Sequence, residues 1–365
     1  MKKPTVALIG CGSISRAYLE NARTLYSDDF QITAVSDIVM ERALAMADKF
    51  AIDKALTTEE VMQDPDIDMV LNLTIPMAHT EITLRALRAG KHVYTEKPLT
   101  ITREEAQIVL NTAKEVKKYV GCAPDTFLGM PLQTALKAIH DGQIGIPFGA
   151  NCMCIHPTHG NENCHPDPEF YYKKGAGPMF DMAAYYINQL VAVFGPVASV
   201  SCYQTKNFEE RVITTQPHRG KKIQVEVPTH VLSMMQFECG AIVSFMNTLD
   251  VWNSKQPWIE IYGTEGTLVL PDPNRFIGDV MLSRLSYGED KWQPVQPLEE
   301  YRNTQRGAGI KDMFEAIREG KAIRANGEMG AHVVDIVNAF NESAESGKSV
   351  MIQTSCMKPQ PRFLA

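Results

Sequence analysis

The sequence predicts an α/β chain in two parts: an N-terminal domain on a parallel sheet, and a C-terminal α+β domain with a large, open, mainly antiparallel sheet. Three observations carry this. Short apolar runs alternate with helical patterns of 10–16 residues over the first third of the chain, as in strands joined by crossover helices. The first run ends in Gly10-Cys11-Gly12-Ser13-Ile14-Ser15. Beyond about residue 125 the runs become longer and more polar, with turn residues between them, which suits a sheet with one solvated face. The 365 residues fit two domains at roughly 100–200 residues each. The expected division is 1–125, 126–350 and a C-terminal arm, 351–365.

In order, strands are expected at 5–9, 31–36, 68–73, 92–95 and 119–123, with helices at 14–26, 39–50, 78–89 and 102–117. Thr102 with Glu105 opens the last of these helices in a capping-box pattern. A helix at 130–141 follows, then strands at 147–155, 198–205, 223–237, 241–250 and 258–263. Helices at 179–194, 307–319 and 328–346 complete the second domain.

The net charge is −7, which argues against nucleic acid, because phosphate binding needs a basic face. Eight cysteines include no C-x-x-C pair, so zinc ribbons and dithiol redox centres lack support. Cys152 and Cys154 alternate on one strand face and read as buried, reduced thiols of a cytoplasmic protein. Lys2-Lys3 ahead of Leu8-Ile9-Gly10-Cys11 imitates a lipoprotein signal. Its apolar run is far shorter than the roughly 7–15 residues such a signal needs. No run of about 18 apolar residues occurs, so no membrane span is expected.

A strand, G-x-G-x-x-S and a helix in succession form a dinucleotide fingerprint, the mark of a Rossmann domain. Gly10 allows the tight turn, and Gly12 lets the backbone approach a pyrophosphate. Ser13 and Ile14 lead amide groups of the helix N-terminus toward the anion. Ser15 replaces the usual Gly or Ala of the third position; it is small enough, and its hydroxyl is a further phosphate contact. Asp37 lies 22 residues after Ser15, near the ~20 expected for the carboxylate that binds the ribose 2′-OH. That carboxylate repels a 2′-phosphate, so NAD is expected over NADP. The alternative for Asp37 is a plain turn residue.

Glu96-Lys97-Pro98 closes the fourth strand. A lysine there is held at the mouth of a parallel sheet, where ligands bind, and can accept the proton of a hydroxyl that loses hydride. Together with Pro76 and His79, Gly175-Ala176-Gly177-Pro178-Met179-Phe180-Asp181 and Ile261-Tyr262-Gly263-Thr264-Glu265-Gly266, these motifs mark a resemblance. Over nearly its whole length the chain resembles the Gfo/Idh/MocA oxidoreductases, relatives of glucose–fructose oxidoreductase and inositol dehydrogenase. The resemblance implies that Lys97 contacts the reacting hydroxyl and that Glu96 lies near the nicotinamide ribose. Thr74, Pro76 and His79 then run along the nicotinamide half of the cofactor. Asp181 falls on the aspartate of the family's D-x-x-x-H motif, but Tyr185 replaces the histidine. Residues i and i+4 share a helix face, so both can reach one cleft. Tyrosine titrates near 10 against roughly 6.5 for histidine, so either Lys97 or Tyr185 is the base. The alternative for Tyr185 is a core aromatic.

Asp125 and Thr126 follow a parallel strand and are candidate sugar ligands. The segment Ala123–Gly129, where the family tends to carry Asn and Arg, and Asp-Met-x-x-Tyr-Tyr resemble a subgroup with enzymes that oxidise the C3 hydroxyl of glucose or glucosides. The loop from His156 to His165 invites a zinc reading, but its spacing matches no common zinc pattern. No metal is expected. His156, His159, His165 and Lys174 instead read as substrate-facing, and Tyr171, Tyr172 and Trp252 as stacking residues.

The leading expectation is thus an NAD-dependent dehydrogenase of a sugar or glycoside hydroxyl. Inositol 2-dehydrogenase is the alternative within that chemistry, and a non-catalytic NAD-binding sensor the alternative outside it. The resemblance implies a homo-oligomer through the C-terminal sheet. Leu232, Met234, Val243 and Phe245 alternate there.

Overall fold

The computed structural model describes residues 3–156, 159–173, 176–288 and 291–364. These form two compact units, Met1–Gly129 with Glu300–Val334, and Met130–Glu299 with Asp335–Ala365.

The first unit runs β1 (Thr5–Ile9), α1 (Ser15–Thr24), β2 (Gln31–Ser36), α2 (Met40–Phe50), β3 (Lys54–Ala55), α3 (Thr58–Gln63), β4 (Met69–Asn72), α4 (Pro76–Arg88), β5 (His92–Thr95), α5 (Arg103–Glu115) and β6 (Val120–Cys122). The strands pair in the order β3-β2-β1-β4-β5-β6, all parallel. β1 and β4 are buried along their whole length, which is why they read as unbroken apolar runs. Their neighbours are helix residues such as Ala86, Leu87, Ala106 and Val109. Strand order reverses between β1 and β4, and in such sheets ligands bind beyond the strand C-termini at that point.

The second unit runs α6 (Met130–His140), β7 (Pro147–Ile155), α7 (Pro178–Phe194), β8 (Val197–Thr205), β9 (Glu210–Val212), β10 (Lys222–Gln224), β11 (His230–Phe237), β12 (Ile242–Thr248), β13 (Ile259–Gly263), β14 (Thr267–Leu270), β15 (Met281–Ser283) and β16 (Gln293–Pro294). Helix α8 (Ala308–Glu319) follows, then α9 (Gly327–Ser346) and β17 (Val350–Met351). A nine-stranded sheet has the order β16-β15-β14-β13-β7-β12-β11-β8-β17; within it β7 and β12 are parallel. Helix α7 packs on one face through Tyr186 against Phe245, ring centroids 5.2 Å apart. The Asn247 side chain donates to the Pro178 carbonyl at 2.7 Å.

Four expectations are corrected. The strand expected over 223–237 is two, because Pro228 interrupts it: β10 pairs with β9 and β11 with β8 and β12. Segment 300–334 packs in the first unit, not the second. Gly307 and Gly309 amides donate to Asp125, Lys311 pairs with Asp29, and Cys122 N–H donates to Ala325. The C-terminal arm lies along its own unit. Amides of Gln353 and Thr354 donate to Asp335, and that of Arg362 to Gln133. Finally, Val243 and Phe245 are fully buried on the α7 face, whereas Leu232 and Met234 point outward with Tyr203 and Ile242.

Candidate active site

In the first unit the glycine turn closes β1. Gly10 has φ +104°, and a Cβ there would meet the Leu73 carbonyl oxygen at 2.5 Å, so only glycine fits. A Cβ on Gly12 would meet nothing within 4 Å; the backbone faces open space, as a pyrophosphate cradle requires. Ser13 beside it is exposed and Ile14 half-buried. Ser15 is fully buried, and its hydroxyl donates to the Gly12 carbonyl at 2.6 Å. The phosphate contact expected of it is therefore corrected: the hydroxyl tightens the turn.

Asp37 follows β2. Its carboxylate accepts from Cys11 N–H at 2.8 Å and Val39 N–H at 2.9 Å. The side chain is half-buried and each of its oxygens is held by a backbone amide. Open glycine backbone, helix amides and an anchored carboxylate together fit a dinucleotide. Ile38 is fully exposed, and Ile75 and Met77 flank Pro76 with 69% and 73% exposure. These apolar side chains on the ligand rim were not singled out in the sequence. The signal was their position, directly after Asp37 and around Pro76.

Beyond β4, Asn72 Oδ1 accepts from both the amide and the hydroxyl of Thr74. Pro76 opens α4 at its first turn. His79 was expected along the cofactor, but it is completely buried. Its Nδ1 lies 2.6 Å from the Pro98 carbonyl oxygen and its Nε2 3.0 Å from that of Thr74. Both ring nitrogens face backbone carbonyls.

At the end of β5, Glu96 accepts from the Tyr18 hydroxyl at 2.9 Å and from the Lys97 amide at 3.0 Å. Arg306 lies 4.0 Å away. Glu96 is buried and its carboxylate is engaged by the protein, so it braces the turn on which half-buried Lys97 stands. Asp125 and Thr126 are both buried. Asp125 Oδ2 accepts from the amides of Gly307 and Gly309 at 2.9 and 3.0 Å, binding the N-terminus of α8. Burial pushes its carboxyl up, against the lowering by Arg306 and these amides. Asp125, expected to bind sugar, is thus a helix anchor, and Thr126 is buried beside it in the chain.

In the second unit, Asp181 and Tyr185 stand one turn apart on α7, Asp181 half-buried and Tyr185 5% exposed. Burial pushes the His156 imidazole down, while Asp181 is the strongest charge pulling it up. His156 Nδ1 accepts from Gly160 N–H at 3.3 Å, so Nε2–H donates to Asn161 Oδ1 at 2.9 Å. Asp181, in the first turn of α7, thus acts on His156 through its charge.

His159 serves a different purpose. It is buried, its Nε2 contacts the Asp250 carbonyl at 3.0 Å, and its ring stacks on Trp252 at 3.5 Å. The substrate contact expected of His159 is corrected: it backs Trp252, which is 80% exposed. His165 is half-buried against Phe170 and Tyr171, and its Nδ1 accepts from Asp167 N–H at 3.1 Å. Lys174 lies outside the described residues. A buried cluster holds this loop, and Tyr172, expected to stack on substrate, is corrected to a fully buried member of it. Arg211 pairs with Glu162 at 2.7 Å and with Asp250, and the Tyr172 hydroxyl donates to Glu162. Among the described residues, no group of three or more His, Cys, Asp or Glu side chains is arranged to hold a metal. No described helix is long and apolar enough to cross a membrane.

Comparison with known proteins adds the following. Residues 5–123 match the model of an oxidoreductase family with an NAD-binding Rossmann fold, and residues 132–269 match the GFO/IDH/MocA C-terminal domain. A 1,5-anhydro-D-fructose reductase of Ensifer adhaerens is 27% identical over 95% of this chain and 98% of its own. A myo-inositol 2-dehydrogenase of Thermotoga maritima is 23% identical over 95% and 98%. A levoglucosan dehydrogenase solved with NADH and L-sorbose superposes with a TM-score of 0.83 at 22% identity, covering 97% of this chain and all of that one.

Proposed function

Because the chain belongs to the Gfo/Idh/MocA oxidoreductases, NAD-dependent enzymes acting on CH–OH groups, we propose that it oxidises a secondary hydroxyl of a sugar or glycoside. The best assignment is C3 of a glucosyl unit, giving a 3-keto sugar. The observation that carries this is Lys97, half-buried on a strand-end turn that buried Glu96 braces.

NAD, when bound, supplies the hydride acceptor. Gly10, Gly12, Ser13, Ile14 and Asp37 hold its pyrophosphate and adenosine ribose, with Thr74 and Pro76 toward the nicotinamide. The substrate hydroxyl takes a place beside Lys97, and its proton passes to Lys97, directly or through the Tyr185 hydroxyl. Asp181 orients one of these groups. His156, held as a neutral Nε2–H tautomer, and His165 line the sugar, and exposed Trp252 offers a flat face to it. Fixing both reactants supplies much of the rate. The reverse reaction reduces a keto sugar.

A polyol such as myo-inositol is the second reading, favoured by the inositol dehydrogenase among the relatives. Absorbance at 340 nm with excess NAD and glucose, glucosides, galactose and myo-inositol decides between them. A glucoside response lost in Lys97→Met supports the first reading. A response to myo-inositol alone supports the second. We also propose a homo-oligomer through the outer sheet face, where Tyr203, Leu232, Met234 and Ile242 are exposed.

A further inference from the structure

His79 is placed between two carbonyl oxygens, Pro98 at 2.6 Å from Nδ1 and Thr74 at 3.0 Å from Nε2. Carbonyl oxygens only accept, and a neutral imidazole has a single N–H. A neutral ring would turn a lone pair toward one carbonyl in a site closed to water. We propose that His79 is a positioning residue that holds the Lys97–Pro98 turn against the loop after β4, as an imidazolium donating a hydrogen bond on each side.

This rests on Lys97 being the proton-transfer residue of the proposed reaction. The surroundings supply the frame. The Asn72 side chain donates to the His79 carbonyl at 3.1 Å and to Thr83 at 3.2 Å, and its oxygen holds Thr74. The loop before α4 is therefore pinned by Asn72 and His79 together, and His79 alone of the two reaches across to Pro98. Burial acts most strongly on the ring and draws its pKa below the ordinary value, helped by Lys97, while the two carbonyl hydrogen bonds and Glu96 favour the cation; it is the geometry of two acceptors that calls for the second N–H, against that balance. The groups from β4 and α4, Asn72, Thr74 and Thr83, are neutral. The same repulsion acts in reverse, so an imidazolium beside Lys97 favours the unprotonated amine that a base requires.

Two measurements on the full chain test this. In ¹⁵N-histidine-labelled protein at pH 7.5, with residue 79 assigned through its backbone, both ring nitrogens should resonate as N–H. A bare ring nitrogen overturns the proposal, and this reading needs no variant to fold. In His79→Gln with wild-type melting, kcat should fall by about ten- to a hundredfold, as for a small misplacement of a reacting group. The KM for NAD should move less, and the acid limb of the kcat/KM profile should shift to higher pH. Unchanged kcat and pH profile would overturn the positioning role. Full turnover in Lys97→Met would instead remove the underlying reaction, while the nitrogen spectrum still reports on His79.

Discussion

In the proposed reaction the proton reaches Lys97 either directly or through Tyr185, and single substitutions separate the two routes. Tyr185→Phe keeps the ring that fills its 5% exposed site on α7, so the fold should be retained. If the phenol relays the proton, kcat should fall on the order of 10²–10⁴-fold, the usual contribution of general acid–base catalysis. A change under about threefold would assign the transfer to Lys97 alone. The glycine turn and Asp37 were legible in the sequence because their meaning is local: a strand, a turn with φ +104° at Gly10, and a carboxylate at a set distance. The roles of His79 and Asp125 were not. Their partners lie 19 residues away for Pro98 and 182 for Gly307, and burial, which decides between ligand and scaffold, is a tertiary property. His159 misled for the same reason, since a loop histidine and a histidine backing a tryptophan have the same spacing.

Among elements, the least legible was the return of residues 300–334 to the first unit. Helix α8 has an ordinary amphipathic pattern, and nothing in it names the surface it covers. Its anchor is Asp125, whose buried carboxyl sits above its ordinary range. The folded state thus holds that proton more tightly than the unfolded chain. Its contribution to stability is full at acid pH and declines as pH rises from the ordinary value of 3.8 through the raised folded value. Asp125→Asn keeps an oxygen for the two amides without the charge, so the gap between wild type and variant should change in the variant's favour as pH rises. Asp125→Ala leaves both amides of α8 without an acceptor and should cost about 2–4 kcal/mol in chemical denaturation, roughly one buried unsatisfied group per amide. Equal melting of Ala and wild type would show that the helix is held otherwise. Helix α3, absent from the sequence-based expectation, did carry a signal. Thr57 and Glu60 form a full capping box, the same pattern that identified α5 at Thr102 and Glu105. Its six residues are too few for apolar periodicity to register.

For the whole molecule, the alternation of β11 fixes which side chains face outward. Val231, Met235 and Phe237 are buried while Leu232 and Met234 are half exposed. Register sets Leu232 opposite Tyr203 on one side and Met246 on the other, an apolar row across three strands, with Met234 on the same face between Ser201 and Ser244. Isolated exposed apolar residues are ordinary, but a contiguous patch marks an interface. Leu232→Glu with Met234→Glu should reduce the mass in light scattering to one chain while leaving the far-ultraviolet spectrum unchanged. A wild-type protein that already runs as one chain at micromolar concentration would contradict the proposed assembly. The two-part architecture was legible because each half keeps a single strand pattern along its length. The substrate was not, because in the proposed site it depends on how the side chains around His156 and Trp252 are arranged.

The central claim is that Lys97 serves NAD-dependent oxidation of a sugar hydroxyl. Its most direct test is absorbance at 340 nm on mixing purified protein with NAD and a glucoside, wild type beside Lys97→Met. The account predicts NADH formation in the wild type, and its loss in the variant with NAD binding intact. Equal NADH formation in both proteins would contradict it.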